Sequence, residues 1–236
     1  MAPDKLVIVL LGTTINLLII STPRLLAPGE WANTFADPLL LAWYLLISAS
    51  CLAESLACPA EPMQRADQTR NPVLPYITGL ALLGLIWAIQ LNDIVASNAT
   101  VLSFGVGAVL SCLGIGLRVT AILSLGPLFI SHISLVPGHR LVTQGLYAWL
   151  RHPSELGLLL FCFGLSIAMR SPVGLALTVA VMIPLSFSRI RAENTLLAAQ
   201  FPALYRAYKE STPALLPRIP KFVRGHNKYH NKQGTV

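Results

Sequence analysis

Charge is scarce in this 236-residue chain: Asp, Glu, Lys and Arg make up 11% of it, against 54% hydrophobic residues. A soluble domain carries about 25% charged residues, so a water-facing surface wrapped around one core is excluded. Residue-by-residue alternation of apolar and polar letters is also missing, which excludes a transmembrane β-barrel. Cysteine is scarce. Cys51, Cys58, Cys112 and Cys162 all fall inside apolar runs, and no His or carboxylate pattern completes a metal site around them. Small core residues are the reading, with no disulfide framework and no structural zinc. Internal repeats and low-complexity segments are absent, as is the strand, Gly-rich turn and helix unit that binds dinucleotides in soluble folds.

What the chain has is apolar blocks long enough to cross a bilayer, which takes about 20 residues per helix. The fold class expected is all-α, a polytopic membrane helix bundle of about six spans, with five as the alternative because the first is short. The spans fall near Leu6 to Ile20, Leu39 to Ala57, Leu74 to Ile94 and Val101 to Leu125, followed by a long run from Leu156 to Phe187. Arg170-Ser171-Pro172 interrupts that run, and since proline favours a helix start over an interior, the spacing predicts a helical hairpin. The first span lacks a basic flank before it and a small-residue cleavage site after it, so a cleaved signal peptide is not expected.

With six spans both ends lie on one side, and 15 of the 17 Lys and Arg residues then share it, leaving Arg24 and Arg170 opposite. That asymmetry places the termini and the basic loops in the cytoplasm. The net charge of +7 is concentrated beyond Pro217. Beside a membrane this favours anionic headgroups over nucleic acid as the partner, with a disordered end expected from Asn227 on.

Three segments emerge: membrane helices over 1–117, a region richer in polar residues at helix ends over 118–217, and a basic tail over 218–236. In the first, Glu54 is the one residue that looks chemical, and near a helix end it either reaches the interface or pairs. In the second, the connection from Gly126 to Pro153 holds Gly, Pro, His and Arg residues that forbid one continuous helix and suit the lining of a polar pocket. Arg151 and His152 directly precede Pro153, a residue suited to a first helical turn, so they stand where free backbone N–H groups attract an anion. The bland alternative is that Arg151 snorkels to headgroups and His152 caps the helix. Glu155 falls in that first turn, positioned either to cap or to pair with Arg151 four residues back. Further on, Leu196, Leu197, Phe201, Leu204 and Tyr208 form an apolar stripe at helical spacing. Arg189 and Glu193 stand four apart before it, as a surface salt bridge or with Glu193 turned toward a ligand.

The string GHRLVTQGLYAWLRHPSELG from Gly138 to Gly157 resembles the isoprenylcysteine carboxyl methyltransferase family and the related membrane phospholipid methyltransferases. Leu117-Arg118, Leu125-Gly126, Phe129, Arg189, Glu193, Phe201, Tyr205, Tyr208 and Pro213 extend the match over roughly Arg118 to Pro217. The resemblance implies an integral membrane methyltransferase that binds S-adenosylmethionine between a cytoplasmic-side loop and a C-terminal helix. It implies that His139, Leu141, Val142, Gly145, Tyr147, His152, Pro153 and Glu193 shape the cofactor pocket. Arg151 and Arg189 would then orient the acceptor or the methionine carboxylate. The acceptor would be hydrophobic or lipid-borne: the carboxylate of a prenylated cysteine, a phospholipid amine, a thiol or another isoprenoid acid. Glu155 replaces an aromatic residue of the family pattern and Asn194 a second acid, so both depart from it. The alternatives are an NADPH-dependent membrane reductase of sterols or isoprenoids, and a non-enzymatic helical membrane protein. Against the latter, the first half lacks the paired charges and broken helices of a transport path.

Overall fold

The computed structural model describes residues 18–24, 26, 36–58, 68–71, 73–95, 99–129, 133–135 and 140–216. Most of the first expected span, His139 and the basic tail lie outside these residues. Helix α1 is Pro38–Ala57, α2 is Leu74–Val95 and α3 is Val101–Leu125. The starts of α1 and α3 are fixed by capping side chains. Asp37 accepts from the Leu39 and Leu40 amides, with Pro38 in the first turn, and Thr100 and Ser103 form a reciprocal capping box.

Pairing of β1 (Gln68–Asn71) with β2 (Ile133–Leu135), antiparallel, ties the loop after α1 to the loop after α3. It is the one departure from an all-helical chain among the described residues, and both strands lie in segments expected as loops. A short helix α4 (Leu146–Trp149) precedes α5 (Pro153–Ala168). The expected hairpin is present: α5 ends, Arg170 takes a positive φ of 47°, and Ser171 caps the next helix by accepting from the Gly174 amide. That helix, α6, runs Pro172–Gln200. Its ladder widens into a π turn at Thr178–Met182, just before Pro184, which has no N–H to give to an α-type bond. Among the described residues, four helices are long and apolar enough to cross a membrane, and α5 is a shorter apolar helix beside them.

The apolar stripe expected as one helix is divided. Phe201 leaves the helical region at φ −128°, ψ 61°, and α7 (Pro202–Ser211) starts anew at Pro202. Leu196 stays buried on α6, Tyr205 and Tyr208 are buried on α7, and Leu204 is exposed.

Helices α3 and α5 run antiparallel along a seam of small residues. A Cβ on Gly107 would meet the Ala168 amide nitrogen at 2.3 Å and one on Gly114 the Gly157 carbonyl at 2.6 Å. On the facing helix, a Cβ on Gly164 would meet the Ser111 hydroxyl at 2.3 Å. In each helix the two glycines are seven residues apart, hence on one face. Backbones approach this closely only where no side chain intervenes, and in lipid such contact replaces the hydrophobic effect as the source of association. The seam fixes α5, and with it the Arg151-His152 corner, against α3.

At the opposite end of the bundle, Arg24 and Asp93 form a buried ion pair, which corrects the expectation that the first half lacks paired charges: the two are far apart in sequence and meet only when the helices pack. Beside it Tyr44 donates to Gln90 Oε1 at 2.7 Å, and Gln90 Nε2 donates to the Ile20 carbonyl at 2.7 Å. These bonds fasten the 18–24 helix to α1 and α2.

Candidate functional site

The corner before α5 is held by the segment that follows α7. The Arg151 and His152 amides donate to the Pro213 and Ala214 carbonyls at 2.9 and 3.0 Å, a short ladder between residues 62 apart in sequence. Arg151 Nε donates to the Thr212 carbonyl at 2.9 Å, and one terminal nitrogen donates to the Tyr205 hydroxyl at 3.1 Å. These bonds hold the guanidinium plane. Arg151 therefore neither snorkels outward nor pairs with Glu155.

Asn194 is the hub. Its Oδ1 stands 3.4 Å from the Arg151 guanidinium and 2.9 Å from His152 Nε2, and it accepts the Tyr205 hydroxyl proton. A guanidinium only donates, so the amide atom facing it must be the oxygen. His152 Nε2 then carries a proton. Its other nitrogen, Nδ1, lies 3.2 Å from Glu193 Oε2. Both ring nitrogens face acceptors, an arrangement satisfied only by the imidazolium. Burial works against that charge, but the Glu193 carboxylate and the bond to Asn194 outweigh it and raise the His152 pKa above its ordinary value. His152 occupies the N-cap position of α5 without a capping side-chain bond. Glu193 is the exposed member of the pair, with 46% of its side chain accessible.

Below this corner lies a second set of charges. Glu155 is 5% exposed and accepts from Arg189 Nε at 2.8 Å. Of the alternatives open along the chain, Glu155 pairs with Arg189 rather than with Arg151, and Glu193 faces His152. Arg118 donates to Glu54 Oε1 at 2.6 Å and to the Ser154 hydroxyl at 2.9 Å. Glu54 pairs, therefore, rather than reaching the interface. Two orphan charges, one near the end of each of two apolar helices, were the signal for this pair.

The remaining expected residues fall around the corner. Leu141 and Val142 are half-buried, and Gly145 is exposed at φ 61°, a conformation that only glycine takes without strain. The Tyr147 ring is buried, its carbonyl accepts the Tyr208 hydroxyl at 2.6 Å, and burial raises the Tyr208 pKa so that this proton stays in place. Pro153 opens α5 as expected. The chain thus brings Tyr147, Arg151, His152, Pro153 and Glu193 to one corner and places Arg189 with Glu155 one layer deeper. Tyr205, Asn194 and the Pro213-Ala214 strap complete it. The strap's role had no sequence signal, because a backbone ladder leaves none.

Residues 107–199 match the model of the isoprenylcysteine carboxyl methyltransferase family, which bears out the resemblance drawn from the Gly138 to Gly157 string. The protein-S-isoprenylcysteine O-methyltransferase of Schizosaccharomyces pombe is 34% identical over 112 residues, 46% of this chain and 47% of that protein. Its namesake in Saccharomyces cerevisiae is 34% identical over 126 residues, 52% of each chain. The matched stretch thus spans about half the length of these relatives. A solved structure of a eukaryotic intramembrane Ras methyltransferase, an isoprenylcysteine carboxyl methyltransferase, superposes with a TM-score of 0.61 at 24% identity. It covers 88% of this chain and 74% of the other, a likeness of fold.

Proposed function

We propose that this chain is an integral membrane methyltransferase that uses S-adenosylmethionine to esterify the carboxylate of a lipid-borne acceptor, with a prenylated cysteine as the acceptor class. The observation that carries the reading is the family match across residues 107–199, which contains the Arg151-His152-Glu193 corner. The sites, the sidedness and the division into 1–117, 118–217 and 218–236 belong to the same proposal.

The corner suits the cofactor's chemistry. Glu193 offers an accessible carboxylate for ribose hydroxyls or an amino group, half-buried Leu141 and Val142 offer apolar surface for a base, and no atom stands within 4 Å of a Cβ placed on Gly145. His139, Leu141, Val142, Gly145, Tyr147, His152, Pro153 and Glu193 would hold the cofactor, which when bound supplies a methyl group made electrophilic by a sulfonium. The His152 imidazolium fixes the Glu193 carboxylate. Arg151 and Arg189 would orient the methionine carboxylate and the acceptor carboxylate with directional charged bonds. A carboxylate acceptor arrives ionised, so no residue has to remove a proton, and positioning with exclusion of water supplies the acceleration. The acceptor's chain enters from the lipid between helices. The distribution of Lys and Arg supports a cytoplasmic face for the corner, where a charged cofactor would be available.

Calorimetry of the detergent-purified chain with S-adenosylhomocysteine and, in parallel, NADPH tests this. Saturable binding of the former, lost in Glu193→Gln and His152→Ala variants of unchanged elution profile, is the expected result. Binding of NADPH alone would replace the proposal with a membrane reductase.

A further inference from the structure

The charged layer beneath the corner contains three buried side-chain atoms with no hydrogen-bond partner among the described residues: Arg118 Nε, Glu155 Oε2 and Ser186 Oγ. They come from three helices, α3, α5 and α6. Several ties bring those helices together at this level. Arg118 bonds Ser154, the neighbour of Glu155. A Cβ on Gly157 would meet the Arg118 amide nitrogen at 2.8 Å. Glu155 Oε1 holds Arg189, and Ser186, wholly buried, lies one turn before Arg189 on the same face of α6.

A buried polar atom left unbonded costs about 1 to 3 kcal/mol, and native structures contain few of them. Three in one layer define a demand for a ligand, and their chemistry specifies it. Glu155 Oε2 only accepts, Arg118 Nε only donates, and Ser186 does either. The layer already holds two carboxylates and two guanidinium groups, Glu54 with Arg118 and Glu155 with Arg189, so its formal charge is balanced. A carboxylate placed directly against Glu155 Oε2 would meet like charge, so a carboxylate in this layer belongs on the Arg189 side and a different group must answer Oε2. An ammonium would satisfy Glu155 and leave Arg118 Nε unanswered. A neutral group with one N–H and one C=O answers both.

We propose that Glu155, Arg118 and Ser186 form the subsite for the acceptor's peptide amide, its N–H donating to Glu155 Oε2 and the carbonyl accepting from Arg118 Nε or Ser186 Oγ. The inference rests on the methyltransferase reading and names the part of the acceptor that is recognised. In a protein-borne cysteine the carboxylate and the amide nitrogen share one Cα. The groups that hold them must therefore be neighbours, as Arg189 and Glu155 are, bonded at 2.8 Å. The substitution of Glu for an aromatic residue at position 155 then marks selectivity for acceptors with an amide N–H.

The test uses the full chain in lipid nanodiscs with S-adenosylmethionine and two acceptors, N-acetyl-S-farnesylcysteine and the S-farnesyl thioether of 3-mercaptopropionate. The second keeps the prenyl thioether and carboxylate but lacks the amide. The amide-bearing acceptor is expected to have a kcat/KM higher by about tenfold or more, the factor that a bond to a buried charged group carries. Glu155→Gln, which keeps the shape and weakens the bond, should narrow that ratio, chiefly through KM for the amide-bearing acceptor. Equal turnover of both acceptors by the unaltered chain overturns the amide subsite, bound water being then the ligand of these atoms, and leaves the methyltransferase reading standing. An undiminished ratio in Glu155→Gln also overturns it. Methylation of neither acceptor overturns both, and the comparison with the unaltered chain stands even if Glu155→Gln does not fold.

Discussion

His152 Nδ1 lies 3.2 Å from Glu193 Oε2, while the opposite ring nitrogen meets Asn194 Oδ1 at 2.9 Å, so one buried imidazole is clamped between consecutive residues of α6. The clamp joins the loop before α5 to the end of α6.

Its protonation has a pH signature. The folded-state pKa of His152 is raised, so the imidazolium contributes stability that is fully present below the unfolded value of about 6.5 and is lost as pH rises through the folded value. Thermal unfolding in detergent should show a stability difference between the unaltered chain and His152→Gln that is largest at acidic pH and shrinks above about 6.5. A difference that grows with pH would contradict the imidazolium.

Asn194→Leu removes the acceptor shared by Arg151, His152 and Tyr205. S-Adenosylhomocysteine affinity should fall by about tenfold, the equivalent of one bond to a charged group. Asn194→Asp should keep binding and raise the His152 pKa further, by adding a second carboxylate beside the ring. NMR titration of the imidazole checks the second outcome and calorimetry the first.

Both departures from the family pattern, Glu155 and Asn194, are visible in the sequence, and so are the Arg151-His152-Pro153 corner and the hairpin broken at Ser171. Partner choice is where sequence spacing misleads. Four-residue separations suggested pairs within helices, but the desolvation of Glu155 and Arg189 in the bundle favours the bond between helices, where both charges are shielded together. The breaks at Phe201 and before Pro184 depend on local backbone adjustment around a proline. An apolar stripe continues across such a break without marking it.

The glycine seam predicts a steep size dependence. Gly114→Leu and Gly164→Leu place side chains against facing backbone or the Ser111 hydroxyl and should abolish the monodisperse folded protein. Gly84→Ala, with no atom within 4 Å of the added Cβ, should leave it intact. Size-exclusion profiles after detergent extraction distinguish the two outcomes.

Arg24 and Asp93 are 4% and 5% exposed. Asp93→Leu alone leaves a buried guanidinium without its counter-ion and should destabilise by about 3 to 5 kcal/mol. The double change Arg24→Met with Asp93→Leu should recover most of that loss, since well-packed apolar residues replace buried ion pairs at little net cost. Unfolding of both variants in mixed micelles checks the ordering.

The most direct test of the central claim is transfer of a labelled methyl group from S-adenosylmethionine to N-acetyl-S-farnesylcysteine by the purified chain in nanodiscs. A base-labile methyl ester that forms with the unaltered chain and is lost in Arg189→Leu is the predicted result. Cofactor binding without ester formation on any prenyl-thioether carboxylate would contradict the carboxylate-methylating account.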